Sequence, residues 1–453
     1  IEGSRLDIPP PSSGSRPVLS YPPMLRRRLA WLVAVAALIA PAIASSQEAS
    51  RYVDDYPHAA SKKGLQVELV DDALALGVKH AALNVNLTEI VAPDAAATDA
   101  GLLEWTYDGD VYRFHAGYVQ RLDRDIKALS DHGVVVHLII LAYASGNATV
   151  DRCMLHPGYD PAAPNRLGAF NTVSDEGRRW FTATMEFLAE RWSRPDERYG
   201  RVAGYIIGNE VNSHWWWSNM GRVSMREFAD DYLPAVRLAH DAVRRQSSWA
   251  RVYISLEHHW NMRYPAGDDQ QAFAGRAFLD YFATQARAGG DFDWHVAFHP
   301  YPENLFEPRF WLDESAQPTA ETPRITFKNA DVLTDYLERP ELLYRGVPRR
   351  VIFSEQGFHT PDGPEGEAIQ AAAYCYAYRK VAALDGVDAF ILHRHVDHPH
   401  EGGLQLGLRR RTTGAADPYP KKRIYDAFQA ADTPEWEAAF EFALPIVGLE
   451  HWD

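Results

Sequence analysis

"YIIGNEVNSHWWWSN", Tyr205 to Asn219, decides how the chain is read. It opens as an apolar strand, breaks at Gly208, sets Asn209 and Glu210 side by side, and soon reaches three consecutive tryptophans, Trp215, Trp216 and Trp217. An apolar run without polar alternation suits a strand buried on both faces, as in a parallel sheet covered by helices. A carboxylate closing such a strand stands where parallel α/β folds keep their chemistry.

The same pattern recurs on both sides. Strand-like runs cover residues 63–70, 78–85, 134–143, 202–210, 251–259, 294–302, 349–358 and 387–395. Helical patterns alternate with them. Val119, Leu122, Ile126 and Leu129 share one helix face, with Gly133 at the C-cap position. Ser174 starts a helix whose first turn is acidic, and further helices are predicted over 70–77, 224–245, 273–288, 329–337 and 367–384. Eight βα units predict an α/β fold, a closed (β/α)8 TIM barrel with long loops at its C-terminal face. The alternative, an open doubly wound sheet, calls for a Gly-rich phosphate turn after an early strand, and none is present. The longest loops, 90–115, 144–173 and 301–328, all follow strands.

The front of the chain reads differently. Residues 24–44 have the form of a signal peptide: Arg26 to Arg28, an apolar run over 29–40, then Ala42-Ile43-Ala44. The run is short for a bilayer span, although an N-terminal anchor is the other reading. Residues 1–23 read as a tag or upstream segment. This leaves 45–453 as a single catalytic domain, expected to be secreted or periplasmic in a bacterium. The 453 residues carry a net charge of −15, which argues against nucleic acid and anionic membranes as partners. Cys153 and Cys375 are compatible with a disulfide or with two buried thiols. Nothing in the sequence fixes the oligomeric state.

In a barrel the strand ends converge. Here they supply Asn84, Asn86, Tyr143, Asn209, Glu210, Glu257, His258, His259, His299, Tyr301, Glu355, His393 and His395. Glu210 and Glu355 close the fourth and seventh strands, which face each other across a barrel mouth. Two facing carboxyls are what glycoside hydrolysis needs: one protonates the leaving oxygen, the other attacks the anomeric carbon or activates water.

With Asn209-Glu210, Glu355 and His299-Pro300-Tyr301 in place, the chain resembles the clan A glycoside hydrolases, especially the family-5-like branch. The resemblance implies a retaining enzyme with Glu210 as acid/base and Glu355 as nucleophile, acting on an oligosaccharide or polysaccharide without a cofactor. It further implies that Asn209 holds the sugar 2-hydroxyl, that Tyr301 bonds Glu355, and that His299 lines the subsite. Two family features are missing: the second strand has no Arg, and the eighth ends in "FILHRHVDHP" rather than at a Trp.

Trp215 and Trp216 are expected to stack on sugar rings or to pack the loop, and His214 to contact substrate or cap that loop. The histidines of "EHHW" and "HRHVDHPH" favour sugar binding, with a metal-dependent barrel hydrolase as an alternative. A catalytically silent carbohydrate-binding barrel is the third reading.

Overall fold

A computed structural model of the chain describes residues 55–452. The signal-peptide reading and the leading segment lie outside the described residues. The eight apolar runs form strands β1 (Lys63–Gln66), β2 (His80–Asn86), β5 (Val135–Leu141), β6 (Gly204–Ile207), β7 (Arg251–Glu257), β8 (Trp294–His299), β9 (Val351–Gln356) and β10 (Val387–Leu392). All pair in parallel, in the closed order β1-β10-β9-β8-β7-β6-β5-β2. This is the (β/α)8 barrel.

Side chains alternate along each strand, so the barrel interior is built in layers. Ala82, Ile139, Ile206, Tyr253, Ala297, Ile352 and Ala389 form the apolar layer. Two residues earlier, the same faces of β2, β5 and β8 carry His80, His137 and His295, all buried. Two residues later, β7, β8 and β9 carry Ser255, His299 and Ser354, also buried. The second polar layer supports the rim where the strands end.

Outside the barrel, a continuous apolar shell joins the strands to their helices. Helix Asp175–Arg191 starts at Ser174, whose hydroxyl accepts from Gly177 N, and helix Met225–Gln246 begins with a Ser224/Glu227 capping box. The stretch read as loop 90–115 contains an antiparallel hairpin, β3 (Leu102–Tyr107) and β4 (Asp110–His115). Asp108 and Gly109 both have positive φ (51° and 85°), as a two-residue hairpin turn requires. Phe114 of this hairpin stacks on Phe187, and Tyr112 meets Trp180 edge-on, so the hairpin covers helix Asp175–Arg191. Beyond β10, short helices between Arg423 and Val447 pack against helix Gly366–Ala382 through Tyr374, Phe428 and Phe440. Cys153 and Cys375 are both buried and unpaired. Among the described residues, no helix is long and apolar enough to cross a membrane.

Candidate active site

The site is set by a sharp turn after β6. Gly208 has φ 79°, and Glu210 itself is left-handed (φ 40°, ψ 51°). A non-glycine residue held there costs of order 1 kcal/mol, a strain that concentrates at functional positions. The backbone N–H of Glu210 donates to Ser255 Oγ (3.0 Å), which fixes the turn on the polar layer below. The Glu210 carboxyl then meets His299 Nδ1 at 2.8 Å, while His299 Nε2 lies 3.1 Å from Ser354 Oγ.

Glu355 reaches the same mouth from β9. It accepts from Tyr301 Oη (3.3 Å) on one oxygen and from Gln66 Nε2 (3.0 Å) on the other. Because that amide nitrogen faces Glu355, Gln66 Oε1 faces His393 Nδ1 at 2.6 Å. His393 Nε2 in turn lies 3.0 Å from Glu401, which also pairs with Arg394. The chain Glu401–His393–Gln66 therefore orients Glu355. It depends on Gly357, where a Cβ would fall 2.0 Å from the His393 carbonyl oxygen; only glycine lets β9 and β10 approach so closely there.

A carboxylate oxygen from each of Glu210 and Glu355, and a ring nitrogen of His299, lie within 4.8 Å of one another. The two carboxyls hold their protons differently. Burial raises Glu210, and the His299 hydrogen bond only partly offsets it. Burial would also raise Glu355, but the positive charges of His393 and His299, with the Gln66 hydrogen bond, bring it below the ordinary glutamate value. Burial would lower His299, but its bond to Glu210 and the surrounding carboxylates raise it. Glu210 is therefore raised by burial against the pull of His299, while His299 is raised by Glu210 and the neighbouring carboxylates.

The pair opens into a cavity of about 750 Å3 whose walls include Trp216, Trp217, Tyr264, Phe306, His393 and Glu401. Glu257 and His259 border it, but their bonds turn inward. Glu257 accepts from Asn212, Ser213, His259 N and His259 Nδ1, at 2.6–2.9 Å. Burial alone would raise this carboxyl; His259 and, less so, His258 bring it down to about 2. As for metal, Glu257, His258 and His259 place ligand atoms within 4.8 Å of one another, and so do Glu210, His299 and Glu355. In the first group the carboxylate oxygens already have four donors, and in the second the histidine faces Glu210 and Ser354 through both nitrogens. Of the buried nitrogens and oxygens in the two groups, only His259 Nε2 is left without a partner, and one free nitrogen beside occupied carboxylate oxygens does not make a cation site.

The other expected site residues separate into two groups. Asn84 is exposed on the inward face of β2, beside a smaller cleft bordered by Gln66 and Arg394. Tyr143 lies near enough to Glu355 to feel its charge, although burial is the larger cause of its raised hydroxyl. Asn209 is half-buried beside Glu210. The rest need correction. Asn86 caps helix Leu87–Ile90 and accepts from Tyr143 N, so its amide holds the loop. His214 is wholly buried, stacked on Phe273 at 5.0 Å and held to about 4 by burial. Trp215 does not line the cavity; Trp216 and Trp217 do. His299 stands behind Glu210 rather than on the wall. His395 is buried against Asp72 at 2.8 Å, in a network with Arg409 and Tyr425 that closes the barrel's seam. Gln66, Ser255, Ser354 and Glu401 were not anticipated. Only Gln66 gave a signal, a polar residue near the end of the first strand.

The architecture is thus that of a parallel (β/α)8 barrel with a facing glutamate pair at its C-terminal rim. Within that class the chain belongs to a family described as of unknown function, DUF5722, whose pattern matches residues 55–453. A comparison with proteins of curated function finds no match. Among solved structures the chain is similar to a β-glucosidase from Pyrococcus furiosus (14% identity, 83% of this chain and 86% of that one, TM-score 0.52). It is also similar to a β-glycosidase (14% identity, 82% and 85%, TM-score 0.50). A family 39 glycoside hydrolase from Bacteroides cellulosilyticus matches at 14% identity and TM-score 0.49, over 82% of this chain; the chain spans 62% of that protein's length. At such identities the likeness is one of fold.

Proposed function

We propose that the protein is a retaining glycoside hydrolase acting by double displacement. Glu210 protonates the leaving oxygen, Glu355 attacks the anomeric carbon, and Glu210 then takes a proton from the water that releases the sugar. One observation carries the reading. The two carboxyls bring one oxygen each within 4.8 Å of the other, in environments that push their proton affinities in opposite directions. An inverting pair needs a wider gap, about 6.5–9.5 Å, to admit water between carboxylate and sugar. His393, His299 and Gln66 favour the ionised nucleophile, and Tyr301 with the Gln66–His393–Glu401 chain keeps it aimed. His299 holds the acid's carboxyl in place at the rim.

The similar β-glucosidase fold is compatible with a sugar substrate, and Trp216 and Trp217 offer ring faces for it. The composition of residues 24–44 supports export, and an amino-terminal sequence of the mature protein checks it. The mechanism is tested by azide rescue with activated aryl glycosides. Glu355→Ala should give a glycosyl azide of inverted configuration, and Glu210→Ala one of retained configuration. Rescue of neither variant, on a substrate the wild type cleaves, overturns the assignment.

A further inference from the structure

We infer that the outer part of the catalytic cavity holds an apolar aglycone. The substrate is then a glycoside of an aryl or alkyl alcohol rather than a chain of further sugars. This rests on reading Glu210 as the acid that protonates the leaving oxygen.

The cavity has two chemistries. Strand-end residues give it a polar floor of Glu210, Glu355, Tyr301 and His393. The loops beyond give it walls that include Tyr264, Pro265, Ala266, Leu305, Phe306 and Leu404. Leu305 is 39% exposed and Phe306 52%. Of these, Pro265, Ala266, Leu305 and Leu404 present no flat face to a sugar ring and no partner to its hydroxyls, while the rings of Tyr264 and Phe306 accept apolar surface as readily as a sugar face. What they favour is apolar surface leaving water.

Several polar side chains among these walls are turned to their own loops, although His259 Nε2, Arg324 Nε and Glu401 Oε2 keep no partner. Asn304 accepts from Phe306 N, Asn165 donates to Trp216 O, and Glu303 accepts from Glu314 N and Ser315 N. Arg324 donates to Ser315 Oγ. A second sugar in this space would lose water from its hydroxyls and find few partners for them.

The apolar wall also stands on the correct side. The Tyr264–Ala266 segment follows β7, the neighbour of the β6 strand that leads to Glu210. Tyr264 meets Trp216 edge-on at 4.7 Å, and a Cβ on Gly267 would fall 2.9 Å from the Trp216 ring. This segment therefore packs on the tryptophans that follow the proposed acid, where the leaving group must lie. Phe306, from the loop after β8, lines the same cavity and is braced edge-on against His359 at 5.2 Å.

The test is calorimetric binding of n-alkyl β-D-glucopyranosides, methyl to octyl, below their micelle concentrations, to the intact Glu355→Gln protein. Affinity should rise about two- to fourfold per methylene. Adding Phe306→Ser or Leu404→Ser should flatten that slope without lowering the melting temperature, since neither side chain is buried. Cellobiose should bind no better than methyl glucoside. A flat slope in the parent, a slope that both serine variants keep, or cellobiose binding tighter than octyl glucoside overturns the inference. Failure of the catalytic reading would appear separately, as no turnover of a 4-nitrophenyl glycoside panel by the wild type, with the binding slope still measurable.

Discussion

Replacing Gln66 by Leu removes one of two donors to Glu355 while keeping nearly the same volume. The lost bond is 3.0 Å long, buried, and made to a carboxylate. Such charge-assisted bonds contribute about 1.5–3 kcal/mol, which corresponds to a fall in kcat/KM of about tenfold to a hundredfold. The pH profile should move as well. Gln66 helps keep Glu355 below the ordinary glutamate value, so without it the carboxyl protonates at higher pH. Glu355 must be ionised to attack, so the acidic limb of kcat/KM shifts upward. His393 acts on the same oxygen through Gln66, 2.6 Å away, so Gln66→Leu and His393→Gln should be less than additive in a double-mutant cycle. The assay is kcat/KM from pH 4 to 9 on whichever 4-nitrophenyl glycoside the wild type cleaves, with melting temperatures as the folding control. A Gln66→Leu protein within twofold of wild type, with an unmoved acidic limb, refutes the claim that this chain orients the nucleophile.

Other consequences are as direct. Removing His299 takes away the partner that lowers Glu210, so the basic limb of kcat/KM in His299→Phe should move to higher pH while the rate falls; a basic limb moving down contradicts the reading that burial raises Glu210 and His299 opposes it. Gly357→Ala forces a methyl to within 2.0 Å of the His393 carbonyl, and should cost about 1–3 kcal/mol in a urea titration together with most of the activity. Burial holds His80 down to about 4, so below the unfolded value of 6.5 the unfolded chain gains a proton that the folded chain refuses. Stability should therefore fall as pH drops from 6.5 towards 4, and His80→Asn should make that slope shallower by about 1.4 kcal/mol per pH unit. Chelator treatment should leave turnover unchanged, because the Glu257 oxygens are occupied by hydrogen-bond donors; loss of activity restored by a divalent ion would reverse that reading.

The barrel was legible because parallel strands buried on both faces leave unbroken apolar runs, and all eight runs are strands. The hairpin at 102–115 was missed although Asp108-Gly109 marks its turn; its alternation is weak because only Tyr112 and Phe114 are deeply buried. The glutamate pair was legible from position, since two carboxylates closing facing strands suit glycoside hydrolysis, whereas one alone, like Glu257, serves as a loop anchor. Its supports were not. Ser255 and Ser354 matter only through register, and Gln66 becomes Glu355's neighbour only once β1 closes the barrel against β10. His214 misled because a single helical turn carries it away from the tryptophans and under Phe273. His395 misled because the chain leaves β10 at Leu392, after which strand alternation no longer says where a side chain points.

The central claim is that Glu355 attacks the sugar. It is tested most directly by mass spectrometry of the protein after incubation with a panel of activated 2-fluoro glycosides, which leave a stalled glycosyl-enzyme. The account predicts a mass increase of one fluorosugar on a peptide containing Glu355, absent in Glu355→Gln. A fluorosugar carried by any other residue would contradict it.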